Sequence, residues 1–255
     1  MATRNENAKA FKSLHQRPNN PLVLANVWDA LSARAVAELQ TSVALATTSF
    51  SIARAAGLSD DDLTLDANLA AVRAIAAVAT EFGKPLTVDI QDAYGPALEA
   101  AIGALIDLGV AGVNLEDREL ATGELYDVDE AASRIGRVLA TARQRGVPDF
   151  VVNARCDALL KGRPLDEVLS RGKRYLAAGA TTVFVWGAQR GVSREEVERM
   201  VAAFDGRLAV LAKMAPDGLS VKQLADMGVA RISVGPSLMH SVLRTLREEA
   251  KKLLG

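Results

Sequence analysis

The sequence is poor in the side chains most often used for covalent and acid-base chemistry: it has one cysteine, Cys156, and two histidines, His15 and His240. A lone thiol excludes an intrachain disulfide and a Cys-rich zinc site, and it fits a reducing, cytoplasmic setting. Both histidines fall in segments of helical periodicity, which argues against a His-based acid-base or nucleophilic mechanism. Charge of one sign is missing too, since 30 Lys and Arg are balanced by 31 Asp and Glu along the chain. No basic stripe marks a nucleic-acid or membrane-surface binder, so small molecules are the expected partners. The opening MATRNENAKAF has no apolar signal core, and the longest apolar-rich stretch, Leu69 to Val78, is broken by Arg73. That stretch is too short to cross a bilayer, which takes about 20 residues, and a soluble chain is expected.

What is present is a repeated alternation. Eight short runs rich in β-branched residues recur: LVLAN (22–26), VALAT (43–47), LTVDI (86–90), AGVNLE (111–116), FVVNAR (150–155), TTVFVW (181–186), LAVLAK (208–213) and ARISVG (230–235). Between them lie amphipathic segments such as Leu65 to Phe82, which stops at Gly83-Lys84-Pro85, and Val128 to Arg145. Ser193 and Glu196 have capping-box spacing. Eight strand-helix units without a linker or a compositional break predict one closed (β/α)8 barrel, a single domain over residues 1–255. An open nucleotide-binding sheet would carry a glycine-rich turn after its first strand, and LVLANVWDALS has none. Asn5 to Gln16 reads as an extra helix before the barrel and Ser237 to Leu254 as a long last one; either could serve a subunit interface.

Barrel chemistry gathers at the C-terminal ends of the strands. Read there, the sequence offers Asn26, Trp28 and Asp29; Thr47, Thr48 and Ser49; Asp89, Gln91 and Asp92; Asn114, Glu116 and Asp117; Asn153, Arg155 and Asp157; then Trp186, Lys213 and Ser233. Alternation puts Asp89 with Gln91, Asn114 with Glu116 and Asn153 with Arg155 on common faces. Two hard carboxylates and an amide, with no thiol or imidazole, suit Mg²⁺ or Mn²⁺ rather than zinc. Acids at strand-to-helix junctions equally serve as helix caps, the role expected of Asp92 and Asp117. SVGPS, Ser233 to Ser237, either binds a phosphate at a helix start or only begins the last helix. Lys213 reads as a surface or substrate-steering lysine before a Schiff-base nucleophile. Cys156, next to Arg155, should point out of the barrel as a buried, inert thiol. With aromatics at only 4%, Trp28, Tyr94 and Trp186 are the side chains available to shape a pocket.

The segments NVWDALSAR (26–34), ATTSFSIARAAGLSD (46–60), VDIQDAYG (88–95), GVNLED (112–117), LYDVDEAASRI (125–135), VNARCDALL (152–160) and ARISVGPSL (230–238) resemble, in order and over nearly the whole chain, the isocitrate lyase and phosphoenolpyruvate mutase superfamily. The resemblance implies a (β/α)8 barrel, Mg²⁺ or Mn²⁺ holding a small 2-oxo or 2-hydroxy acid, and a homotetramer, a dimer of dimers that exchanges a C-terminal helix. It implies Asp89 as the direct metal ligand, with Gln91 and Glu116 reaching the ion through waters. Thr48 and Ser49 match the segment that holds the substrate carboxylate or oxo oxygen, Asp60 an acid on the covering loop, and Arg155 the arginine that meets the substrate's charge. Apart from the resemblance, Trp28 and Trp186 are expected near the mouth as pocket-lining side chains, with core packing the default for Trp28.

Four departures shape the expected activity. The loop after the fourth strand, RELATGELYDV, has no Cys, His or Lys, so it lacks the cysteine acid of the lyases. Of the polar residues mutases carry there, only Thr122 is available. Trp186 stands where mutases have a histidine and lyases an acid, and Gln91 where the family has Asp or Glu. The expectation is a lyase or decarboxylase working through an enolate. The alternatives are phosphonate carbon-phosphorus chemistry or a degenerate member that binds an oxo acid without turnover.

Overall fold

A computed structural model describes residues 3–17, 19–214 and 218–255. Each of the eight apolar runs becomes strand. The first is split at Ala25 into β1 (Leu22–Leu24) and β2 (Asn26–Val27). There follow β3 (Leu45–Thr47), β4 (Leu86–Asp89), β5 (Gly112–Glu116), β6 (Val151–Cys156), β7 (Thr182–Val185), β8 (Leu208–Leu211) and β9 (Arg231–Ser233). All pairings between these strands are parallel, in the order β1-β9-β8-β7-β6-β5-β4-β3-β2. The two ends of that order are consecutive pieces of one strand, so the sheet closes on itself. The expected (β/α)8 barrel is the fold. Strands such as β4 and β5 are buried on both faces, which is why they do not show a plain apolar-polar alternation.

Helices follow every strand: α2 (Ala30–Ala37), α3 (Ser49–Ala55) with α4 (Leu65–Glu81), α5 (Leu98–Asp107), α6 (Val128–Gln144), α7 (Leu165–Ala177), α8 (Arg194–Ala203), α9 (Val221–Asp226) and α10 (Ser237–Leu254). Their ends obey local chemistry. Thr64 accepts from the N–H of Ala67 to start α4, and Gly83, at φ 61°, lets Lys84 N–H return to Ala79 O beyond its end. The Ser193–Glu196 capping box is formed at the head of α8. Where α7 meets the end of α8, Gly172 leaves room for the Phe204 ring; a Cβ there would lie 2.3 Å from it.

The N-terminal helix α1 (Arg4–Ser13) covers the bottom of the barrel. Its Phe11 is fully buried, and a Cβ on Gly112 would come within 3.2 Å of that ring and 2.7 Å of Val151. Burying such a ring contributes about 2–3 kcal/mol, so α1 uses its apolar face within the chain. The last helix differs. Of its residues only Met239 is buried, while Val242, Leu246, Leu253 and Leu254 are exposed. No helix among the described residues is long and apolar enough to cross a membrane.

Candidate active site

At the C-terminal mouth, β4 presents Asp89, nearly buried and held from one side. Ser49, the first residue of α3, donates both its N–H and its hydroxyl to Asp89 Oδ2, each at 3.0 Å. Thr47 Oγ1 accepts the Asp89 N–H at 2.9 Å, and Asn68 Nδ2 donates to its carbonyl at 3.0 Å. The other carboxylate oxygen, Oδ1, is buried without a partner.

Two neighbours repeat that arrangement. Glu116, at the end of β5, gives Oε1 to Arg155 Nη1 and keeps Oε2 buried without a hydrogen bond. Gln91 donates from Nε2 to the carbonyl of Asp60 at 2.8 Å and to its Oδ1 at 3.2 Å, leaving Oε1 buried and unpaired. Three side chains thus each have one polar atom tied and one oxygen without a hydrogen bond; Glu116 Oε2 also faces Arg118 Nε at 3.9 Å. Buried acceptors rarely stay unpaired, so the set fits a cation with its waters. Among the described residues no three His, Cys, Asp or Glu side chains are grouped to bind a metal together.

Arg155 crosses from β6 to meet these acids. Its Nε and Nη2 donate to the two oxygens of Asp157 at 2.7 and 3.0 Å, and its guanidinium lies 4.9 Å from the Trp186 ring centroid. Burial works against its charge, but Asp157 and Glu116 outweigh burial and hold it firmly protonated. Burial raises Glu116 well above the carboxylate range, opposed by Arg155. Asp60 is raised by burial first and then by the Asp89 charge.

The strand register accounts for much of the convergence: Asp89 pairs with Asn114, Asn114 with Asn153, and Glu116 with Arg155. Alternation held for the latter two strands but not for Gln91. β4 ends at Asp89, and Gln91 reaches the mouth through a turn in which Gln91, Ala93 and Tyr94 all have positive φ, 52°, 59° and 59°. The amide is committed to the Asp60 loop by its nitrogen, so Gln91 faces the site with its oxygen alone.

Several expectations change. Ser49, expected to hold a substrate carboxylate or oxo oxygen, spends its N–H and hydroxyl on Asp89. Thr48 begins α3 through its carbonyl, which accepts from Ile52 N–H at 3.1 Å, with no side-chain cap. Asp92 and Asp117 are not helix caps. Asp92 ties Tyr94 N–H, Leu120 N–H and the Tyr126 hydroxyl, while Asp117 accepts from Asp157 N–H at 2.8 Å and the Tyr175 hydroxyl at 2.6 Å. Both brace loops behind the site. The SVGPS turn has its N–H groups occupied: Val234 and Gly235 donate to Asn26 Oδ1 at 3.0 and 2.9 Å, while Asn26 Nδ2 donates to Thr47 O at 2.8 Å. A single amide fastens the barrel seam where a phosphate might have bound. Trp28 is half-buried against the apolar core, and among the described residues no hydrogen bond or ring contact ties it to the acids. Cys156 is buried, and burial raises its thiol well above the usual range.

Asp157 and Asn68 are the supports that sequence reasoning did not assign. Asp157 stood two residues from Arg155, spacing that allows a bidentate pair; Asn68, inside a long helix, gave no signal. Two cavities of about 240 and about 430 Å³ open at the N-terminal face of the barrel. Convergent buried charge at the other end is the better guide to chemistry.

The fold and this mouth define a (β/α)8 barrel with a buried acid-arginine site. Residues 11–254 match the phosphoenolpyruvate phosphomutase family, and the chain belongs to that family, a group of enzymes within the phosphoenolpyruvate mutase/isocitrate lyase superfamily. It is 34% identical over 230 residues to an uncharacterized protein of Mycobacterium tuberculosis (strain ATCC 25618 / H37Rv), covering 89% of this chain and 81% of that one. An oxaloacetate decarboxylase of Bradyrhizobium diazoefficiens is 28% identical over 241 residues (88% and 80% covered), and a phosphoenolpyruvate phosphomutase of Streptomyces hygroscopicus 26% over 242 (90% and 75%). Among solved structures, a Burkholderia cenocepacia J2315 protein provisionally assigned as a phosphonomutase superposes with TM-score 0.87 at 37% identity, covering 98% of this chain and 99% of that one. Oxaloacetate acetylhydrolase, also solved with its product oxalate, superposes with TM-score 0.85 at 27% identity (97% and 86%).

Proposed function

We propose that the protein is a Mg²⁺-dependent (or Mn²⁺-dependent) lyase of decarboxylase type, acting on a small 2-oxo or 2-hydroxy dicarboxylic acid through an enolate. The observation that carries this reading is the set of three tethered side chains, Asp89, Gln91 and Glu116, whose remaining oxygens are buried without hydrogen bonds beside a fixed guanidinium. Asp89 would hold the ion directly, and Gln91 and Glu116 its waters. When bound, the metal supplies Lewis acidity at the 2-oxo oxygen.

The chain's own residues do the rest. Arg155, its orientation locked by Asp157, meets a substrate carboxylate with a rigid donor fork. Trp186 walls the site and keeps water from the developing charge. Thr48, at the start of α3, lines the substrate side. In oxaloacetate decarboxylation the bond from C3 to the departing carboxylate breaks, and its electron pair becomes the enolate. Asp60, raised by burial and Asp89, delivers the proton that the enolate carbon takes up. The short loop after β5 has no group for a lyase's cysteine step, and this reaction requires none.

The decisive assay offers oxaloacetate, dimethylmalate, methylisocitrate and phosphonopyruvate with Mg²⁺ and monitors pyruvate, together with phosphoenolpyruvate where phosphonopyruvate is the substrate. Oxaloacetate turnover abolished by Asp89→Ala supports the proposal; turnover of phosphonopyruvate alone would replace it with carbon-phosphorus chemistry, a reading the phosphomutase relatives favour. No turnover with metal-dependent oxalate binding would mark a binding protein. The exposed apolar face of α10 supports a homo-oligomer, a tetramer built as a dimer of dimers, and the lone thiol supports a cytoplasmic location.

A further inference from the structure

Beneath the mouth lies a charge the proposed reaction does not use. Arg231, the first residue of β9, turns into the barrel interior and is 1% exposed. Its Nη2 donates to Asn114 Oδ1 at 3.0 Å, while Nε and Nη1 are buried with no acceptor. Asn114 is the strand partner of Asp89, so the guanidinium ends one residue from the site. Asn114 Oδ1 also accepts from Asn153 Nδ2 at 2.9 Å, and Asn153 Oδ1 from the Thr182 hydroxyl at 2.6 Å. This layer of amides and a hydroxyl has no carboxylate to neutralise Arg231.

The side facing away from the mouth offers none either. The Phe11 ring lies 6.0 Å from the guanidinium carbon, and His15 packs edge-on to Phe11. Burial, and then Arg231 itself, lower His15 to about 3, which keeps it neutral. Burial lowers Arg231 to about 9, opposed by Asp89, so the guanidinium stays charged at neutral pH. The acid whose charge reaches Arg231 is Asp89, on the mouth side, where Glu116 and Asp157 are paired with Arg155. Charge sealed from water is weakly screened and acts over several ångströms.

We propose that Arg231 is a positioning residue of the site: a fixed cation in the barrel floor that offsets the acid cluster, loosening its hold on a divalent cation and strengthening its hold on the substrate's anionic groups. The inference rests on the metal-and-oxo-acid reading above. It predicts effects of opposite sign on the two ligands, which a merely structural arginine would not produce.

The test uses Mn²⁺ titration followed by electron paramagnetic resonance, then calorimetric oxalate binding at saturating Mn²⁺, on the wild type, Arg231→Met and Arg231→Lys. With the charge removed, Mn²⁺ should bind about tenfold more tightly and oxalate about tenfold more weakly. The lysine variant, which keeps the charge, should restore both affinities toward wild type. Affinities that move together or not at all in Arg231→Met overturn the proposal and leave Arg231 a packing residue. If Arg231→Met does not fold, Asn114→Asp cancels the charge with the guanidinium in place, and an unchanged Mn²⁺ affinity there overturns it equally. A wild-type protein that binds no Mn²⁺ defeats the metal-dependent reading itself, a result separable from the others.

Discussion

Replacing His15 with glutamine should flatten the acid side of the protein's stability profile. His15 is buried at the foot of the barrel, where its Nδ1 donates to Phe11 O at 3.0 Å and its Nε2 is without a partner. Burial and Arg231 lower its pKa from 6.5 to about 3, a drop of roughly 3.5 units at 1.36 kcal/mol each, or about 5 kcal/mol at most. Because the folded value is depressed, the stabilising effect is complete above pH 6.5 and is lost as pH falls toward 3, where the unfolded chain takes up a proton the folded one refuses. Between pH 7 and pH 5 the loss amounts to roughly 2 kcal/mol. Urea denaturation of wild type and His15→Gln at pH 7, 6, 5 and 4 measures it. Asp60, Glu116 and Asp117 are raised by burial and shift stability the opposite way on acidification, but they are common to both proteins and cancel in the difference. Parallel profiles would refute a buried neutral imidazole at this position.

Other changes probe the site and its frame. Gln91→Glu sets a carboxylate against the Asp60 carbonyl and carboxylate, so the loop over residues 56–64 should loosen and be cut faster in limited proteolysis. Arg155→Met strands Glu116 and Asp157 as buried acids and should destabilise by about 3–5 kcal/mol in urea. Asn26→Ala removes the acceptor of Val234 and Gly235 and the donor to Thr47 O; leaving those groups unpaired should lower stability by about 1–3 kcal/mol per buried group. Gly172→Ala drives a methyl into Phe204 and should lower the Tm by an amount matching about 1–3 kcal/mol of overpacking.

The barrel was legible because most strands are buried along their whole length and so appear as short runs rich in Val, Leu, Ile and Ala. The strand-end positions of Asp89, Glu116 and Arg155 followed from a period of two, which the β5 and β6 register preserves. Gln91 escaped that logic because its place depends on a left-handed turn beyond the strand, where alternation stops. Asp92 and Asp117 looked like caps because helices follow them, yet Leu120 and Tyr126 for Asp92, and Asp157 and Tyr175 for Asp117, lie far along the chain, information no local window holds. Arg231 is the clearest case. An arginine opening a strand reads as a surface residue, and only the closed barrel shows that its side chain has nowhere to go but inward.

The turn after β4 has an evolutionary reading. Gln91, Ala93 and Tyr94 each occupy the conformation that glycine adopts at least expense, and left-handed backbone costs other residues of order 1 kcal/mol or more apiece. Glycines would relieve that strain, but two of the three side chains hold something: Gln91 secures the Asp60 loop, and the Tyr94 hydroxyl accepts from Asn68, which also holds the Asp89 carbonyl. Only Ala93 has no such contact. Ala93→Gly would relieve the backbone without breaking a hydrogen bond but would remove a methyl buried in the core, so all three side chains keep this turn from becoming glycine.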